Sequence, residues 1–225
     1  MEILGKGKGW KMECSGIEYL LPSEIEKRSF EIIGEELCKR EIRLSAEEEG
    51  IIKRAIHTSA DFDYAKTLCF SKGAVAVIKE LIRNGADIVT DTNMALAGIN
   101  KRALAEFGGE AHCFMADDEV AASAKRRNMT RAAISMEKAA EIKKPIIFAV
   151  GNAPTALVRL YEMAEETEWK PAFVIGVPVG FVNVEAAKEL ILGSSIPHIV
   201  NRGRKGGSNI AAAICNAVLY EMRDA

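Results

Sequence analysis

The chain has 225 residues, with 30 Lys and Arg against 32 Asp and Glu, a net charge of −2, and 48% hydrophobic and 28% charged residues. This composition excludes intrinsic disorder, and the balanced charge removes any whole-chain polyanion signature, so nucleic acid is not an expected partner. Five widely spaced cysteines without a C-x-x-C pair exclude a disulfide framework and a cysteine-based zinc site, and read as reduced thiols of a cytoplasmic protein. Residues 1–11 lack the apolar stretch of a signal peptide, and no apolar run approaches the roughly 20 residues that a membrane-spanning helix needs.

Residues 1–20, with Gly5, Gly7, Gly9 and Gly16, read as an irregular lead-in. Residues 21–225 read as a single α/β domain. A first helix is expected to start at Ser23 as N-cap, with Glu26 three residues on in capping-box position, and Ile25, Ile32, Ile33 and Leu37 give it helical periodicity. A second is expected from Ser45, with Glu47, Glu48 and Glu49 at the positive end of its dipole. Beyond residue 72, helical patterns at 73–83, 129–143, 156–166, 185–192 and 209–222 alternate with short apolar runs at 87–90, 112–115, 146–150, 173–177 and 198–200. Strands separated by helices predict βαβ crossovers and a mostly parallel sheet in three α/β/α layers. Near-continuous apolar strands fit a sheet covered on both faces.

In such sheets ligands bind beyond the carboxyl ends of the strands, and four junctions there are chemically distinctive. The segment after residue 90 is Asp91-Thr92-Asn93-Met94. The segment at 151–155, Gly-Asn-Ala-Pro-Thr, is equally compatible with a binding loop and with a plain helix start. The apolar segment at 177–181 is either a wall for a large flat ligand or a turn. The last loop combines Arg202, Arg204 and Lys205 with Gly203, Gly206 and Gly207, which suits a small anion at a helix N-terminus. It is neither a Walker A loop nor a G-x-G-x-x-G fingerprint, so a solvated glycine-rich turn stands as the other reading.

His57 closes the run Ile51-Ile52-Lys53-Arg54-Ala55-Ile56-His57. On a helix Ile51, Ile52, Ala55 and Ile56 make one stripe, and Arg54 and His57 fall together on the other side. A histidine there is either an ordinary surface residue or a group placed to give and take protons near neutral pH beside a carboxylate anchor. His112 and His198 lie in strand patterns and read as structural. There is no H-E-x-x-H cluster and no G-x-S-x-G elbow, so neither a metal nor a serine nucleophile is expected.

Five segments in this order, IEKRSFEII at 25–33, RAIH at 54–57, GNAPTAL at 151–157, PVGFV at 178–182 and RGRKGGS at 202–208, resemble the precorrin-8X methylmutases, including the cobalt-precorrin-8 enzymes. The likeness runs from about Leu21 to the C-terminus. It implies a flavodoxin-like fold, a homodimer with its sites near the interface and no added cofactor. The implied reaction is an intramolecular methyl transfer from C-11 to C-12 of a corrinoid ring. It puts the catalytic histidine at His57 and substrate contacts at Ser29 and Arg54; loop position adds Arg131, Asn152, Thr155 and Arg202. A non-catalytic corrinoid carrier and a phosphate-ligand isomerase built on the last loop are the alternatives.

Overall fold

The computed structural model describes Glu18, Leu20 and residues 21–223. Most of the expected lead-in, with Cys14, lies outside the described residues. In chain order the elements are α1 (Pro22–Lys39), α2 (Glu49–Ser59), α3 (Tyr64–Thr67), β1 (Leu68–Phe70), α4 (Ala74–Arg83), β2 (Asp87–Thr90), α5 (Asn93–Gly98) and α6 (Lys101–Ala105). They continue with β3 (Ala111–His112), α7 (Asp118–Arg127), α8 (Arg131–Ala139), β4 (Ile146–Val150), α9 (Pro154–Glu166), β5 (Phe173–Gly176), α10 (Val184–Leu192), β6 (His198–Asn201) and α11 (Ser208–Arg223).

The sheet runs β1-β6-β5-β4-β2-β3. All neighbours are parallel except β1, which pairs antiparallel with β6, Leu68 opposite Asn201. Leaving β1 aside, the parallel strands follow the 2-1-3-4-5 order of flavodoxin-like folds, with the switch point between β2 and β4. Alternation along each strand divides the core. Ile88, Ile147, Ala149, Phe173, Ile175 and Ile199 pack under α2, α4, α5 and α11. Val89, Phe148, Val150, Val174 and Val200 pack under α8, α9 and α10. Both faces are therefore covered, and this is why the strands read as unbroken apolar runs.

Several expected boundaries move. Helix α1 starts two residues earlier than a Ser23 cap would allow: Pro22 takes the first helical position, where its missing N–H is harmless. The Glu24 carboxylate accepts the Leu21 N–H at 3.3 Å. Helix α2 begins at Glu49, because Ser45–Glu47 are exposed with no apolar face to pack, and the Ser45 carbonyl instead closes a turn with the N–H groups of Glu48 and Glu49. Strand β3 is two residues long, at an edge. Helix α8 is shorter than 129–143: Thr130 caps it by accepting the Ala133 N–H at 3.2 Å, and Pro145 disfavours helix just upstream. No helix among the described residues is long and apolar enough to cross a membrane.

Candidate active site

The seven expected site residues fall into three groups. The first lies on α1 and α2. As the periodicity requires, Ile51, Ile52, Ala55 and Ile56 are buried. His57, in the last turn of α2, is exposed, and its ring stacks on Phe30 with centroids 5.5 Å apart. One turn earlier, Arg54 donates from both terminal nitrogens to Glu26, at 2.8 and 3.0 Å. Its guanidinium lies between two rings, 4.8 Å from Phe30 and 5.2 Å from Tyr220, a geometry that favours a cation on each aromatic face. Its buried Nε has no acceptor. The Arg54 hydrogen bonds hold the Glu26 carboxyl below the usual range, against its partial burial, and the charges of Arg54 and His57 add to this. Ser29 rests against its own helix, its hydroxyl donating to the Ile25 carbonyl at 2.9 Å.

The second group gathers past β4. Arg131 opens α8, is exposed, and has no carboxylate within ion-pair distance among the described residues. It lines an open groove of about 740 Å³ with Lys125, Asn128, Met129 and Thr130. Thr155, in the first turn of α9, shares a 2.8 Å hydroxyl contact with Thr130, which ties the starts of α8 and α9 together. Asn152 is exposed on the loop between β4 and α9, its backbone N–H bound to Asp91 at 2.8 Å.

Asp91 is a residue whose role sequence reasoning missed. It sits fully buried just past β2, and its carboxylate accepts the N–H groups of Gly151, Asn152 and Ala153 at 2.8, 2.8 and 2.6 Å. Burial pushes its pKa up while the three donors pull against that shift. These donors lead into α9 at the switch point, the place where a fold of this kind offers N–H groups to an anion. Here the chain supplies the anion itself. Gly151 has no room for a side chain, since a Cβ would stand 2.6 Å from the Ser208 Cα. Beside it the Thr92 and Ser208 hydroxyls meet at 2.7 Å.

The third group is the loop after β6. Arg202 pairs with Glu189 at 2.9 Å, Arg204 with Glu185 at 2.9 Å, and Lys205 with Asp61 and Asp63 at 2.6 and 2.5 Å. All three cations thus have carboxylate partners, although the pairs are exposed and readily exchanged. The glycines serve loop packing: a Cβ on Gly206 would lie 2.0 Å from the Val177 carbonyl oxygen, and the Gly207 N–H donates to that same oxygen at 2.9 Å. The neighbouring loop presents Phe181 at 81% and Val182 at 77% exposure.

Lys188 was also missed. It is fully buried on α10, its ammonium donating to the carbonyls of Gly203 and Lys205 at 2.6 and 2.8 Å. Its position carried a signal, because with Val184, Ala187 and Ile191 it completes the buried stripe of α10. Burial lowers its pKa from 10.5 to about 8. Between pH 8 and the ordinary lysine range the unfolded chain therefore binds a proton that the folded chain does not, and stability rises with pH there. Urea midpoints of the wild type minus those of Lys188→Met should increase from pH 7.5 to pH 9.5; a flat difference would mean the lysine does not titrate in this window.

No hydrogen bond or ion pair joins the first group to the second. The nearest bridges are backbone and ionic: Lys205 to Asp61 and Asp63 just past α2, and the Arg202 N–H to the Thr67 carbonyl at 2.8 Å. A groove of about 750 Å³ along α4 contains none of the candidate residues. Among the described residues no cluster of His, Cys, Asp and Glu is placed to hold a metal. His198 is buried, with Nδ1 2.8 Å from the Ile196 carbonyl oxygen, and His112 contacts Asp87 at 3.4 Å, so both have structural partners. Burial pushes the Cys215 thiol up to about 12, far from a nucleophile's range.

A flavodoxin-like sheet, with a solvent-facing histidine stacked on an aromatic ring and a forked arginine on the helices beside it and an exposed apolar loop past β5, places the protein in the α/β class. The model of the family described as precorrin-8X methylmutase matches residues 24–221. The chain is 46% identical over 210 residues to the cobalt-precorrin-8 methylmutase of Salmonella typhimurium, covering 91% of this chain and 97% of that one. It is 34% identical to a precorrin-8X methylmutase of Sinorhizobium, covering 86% and 92%. The solved precorrin-8X methylmutase of Thermus thermophilus superposes with a TM-score of 0.81 at 37% identity, covering 89% and 98%. The chain belongs to the precorrin-8X methylmutase family. It is accordingly an isomerase of the methylmutase type, with a role in cobalamin biosynthesis.

Proposed function

We propose that the protein moves a methyl group from C-11 to C-12 of cobalt-precorrin-8 or its metal-free counterpart precorrin-8X, yielding cobyrinate or hydrogenobyrinate. The observation that carries this reading is the Arg54–His57 pair, one turn apart on α2 and both against the Phe30 ring. The relatives at 46% and 43% identity are named for the cobalt substrate, which favours the cobalt form.

The reaction is an isomerisation. One carbon–carbon bond to the methyl breaks, another forms on the neighbouring ring carbon, and a proton is relocated as conjugation is restored. A 1,5-sigmatropic shift needs no protein nucleophile. The protein's work is to hold the ring in a reactive pose and to relocate the proton, which we assign to His57. Arg54 and Arg202 anchor peripheral carboxylates by forked hydrogen bonds, and Arg131 supplies a third cation. Ser29, Asn152 and Thr155 offer neutral polar contacts. Phe181 and Val182 cover a face of the macrocycle.

The same geometry supports a homodimer. In one chain His57 and Arg131 belong to different helix layers without contact, and the site is open surface. Leu21, which caps α1, and Ile25 and Ile32 of α1, beside Glu26 and Ser29, are exposed apolar residues. A second copy covering this face would enclose the ring. Sedimentation velocity should give a species of twice the chain mass, and Ile25→Glu should halve it; a monomer with full activity would remove this part of the proposal. A cytoplasmic location fits the four described cysteines, all free thiols.

Incubation with cobalt-precorrin-8 and, separately, precorrin-8X should shift the visible spectrum to that of the corrin product in at least one case. Binding without conversion of either would overturn the proposed function.

A further inference from the structure

The residue read as an anchor for a substrate carboxylate is already holding a carboxylate. Both terminal nitrogens of Arg54 donate to Glu26, one to each oxygen, the same two-pronged arrangement an incoming carboxylate would adopt. The two partners are not equally fixed. The Arg54 side chain is 16% exposed and clamped between the Phe30 and Tyr220 rings, whereas the Glu26 side chain is 58% exposed. Tyr220 is itself tied by a 3.4 Å hydrogen bond from Asn100. Among its described residues helix α1 contributes only Ile33 and Leu37 to the buried core, both in its second half, so the half that carries Glu26 is the less firmly held.

We propose that Glu26 is an internal stand-in for a substrate carboxylate, filling the Arg54 fork in the empty enzyme and swinging out when the ligand arrives. An arginine desolvated between two rings is costly to leave unpaired. Glu26 keeps it aimed and paired until a better acceptor displaces it. The same displacement frees a negative charge beside His57, which shares the Phe30 ring with Arg54. Glu26 is thus a competitor built into the site, and a specificity filter: a ligand lacking a carboxylate at this position cannot displace it. The inference rests on the reading of Arg54 as a carboxylate anchor.

The experiment is a double-mutant cycle on the affinity for cobyrinic acid, measured by calorimetry on the wild type, Glu26→Gln, Arg54→Gln and the double variant, with thermal midpoints as folding controls. Glu26→Gln should bind about two- to fivefold more tightly than the wild type, the scale of one solvent-screened pair, and this gain should vanish in the Arg54→Gln background. An ordinary structural ion pair predicts unchanged or weaker binding, which would overturn the proposal. A gain that persists without Arg54 would also overturn it, by showing general charge repulsion. If Arg54→Gln binds as tightly as the wild type, the anchor reading itself fails, a result distinct from an Arg54→Gln variant that weakens binding while Glu26→Gln shows no gain.

Discussion

The His57→Ala variant is expected to turn over about 10²–10⁴-fold more slowly than the wild type while keeping affinity for the corrin product within a few-fold. The rate factor is the usual contribution of a positioned general acid or base. The retained affinity follows from the proposed placement of the ring. His57 is exposed, and its neighbours in the buried stripe, Ala55 and Ile56, stay in place when the imidazole is removed. In the proposed site the peripheral carboxylates are held by arginines that the substitution does not touch. Stability should move little, since a surface truncation of this kind usually falls within about ±0.5 kcal/mol. Losing a basic group from the last turn of α2 adds only a small helix-dipole cost. A carrier protein has no turnover to lose, so single-turnover kinetics together with product titration separate the two roles. Equal losses in rate and affinity would recast His57 as a binding residue.

Asp91→Ala is expected to show the opposite signature, a protein with a damaged scaffold. Three backbone donors, from Gly151, Asn152 and Ala153, lose their acceptor in a buried corner. Each buried donor left unmade costs roughly 1–3 kcal/mol, partly recovered where water can enter, so a net loss of about 3–5 kcal/mol is expected. For a chain of this size that corresponds to a fall in melting temperature of roughly 10 °C. The loop that these bonds shape also places Asn152 and Thr155, so the variant should lose activity as well, with rate and affinity falling together. Calorimetric melting and steady-state kinetics check both parts. A melting temperature within a degree or two of the wild type would show that the carboxylate does not organise the switch point.

How much of this was legible beforehand depended on whether a residue's partners were near it in sequence. Strands β2 and β4 fell where the apolar runs put them, because each is buried along its whole length and carries adjacent apolar residues, Ile88-Val89 in β2 and Ile146–Val150 in β4. Strand β1 was missed: Leu68-Cys69-Phe70 is a three-residue edge segment, too short for a periodicity to show. Helix α7 was missed because it buries only Val120 and Ala124, leaving a polar stretch with no stripe. Its last turn carries Lys125, Arg126 and Arg127, where cations favour the helix dipole.

The candidate site divides the same way. The Arg54–His57 pairing was readable from helix geometry because both residues share one element. Glu26 was visible only as part of a capping pattern, since its partner lies 28 residues away. Asp91 stood in a recognised loop, but its three donors lie some 60 residues on, and nothing local marks it as an acceptor. Helical spacing alone would have exposed Lys188 as a lysine on an apolar stripe. Pairing of Arg202, Arg204 and Lys205 with Glu189, Glu185, Asp61 and Asp63 likewise joins separate elements, which is why a run of cations looked freer in sequence than it is in the fold.

The central claim is that this chain relocates a methyl group within one corrinoid molecule. The most direct measurement is carbon-13 NMR of the product formed from substrate labelled in its C-11 methyl group. The label should appear wholly on C-12, with no loss to solvent and no exchange between labelled and unlabelled molecules in a mixed incubation. Label remaining on C-11, or exchanged between molecules, would contradict the account.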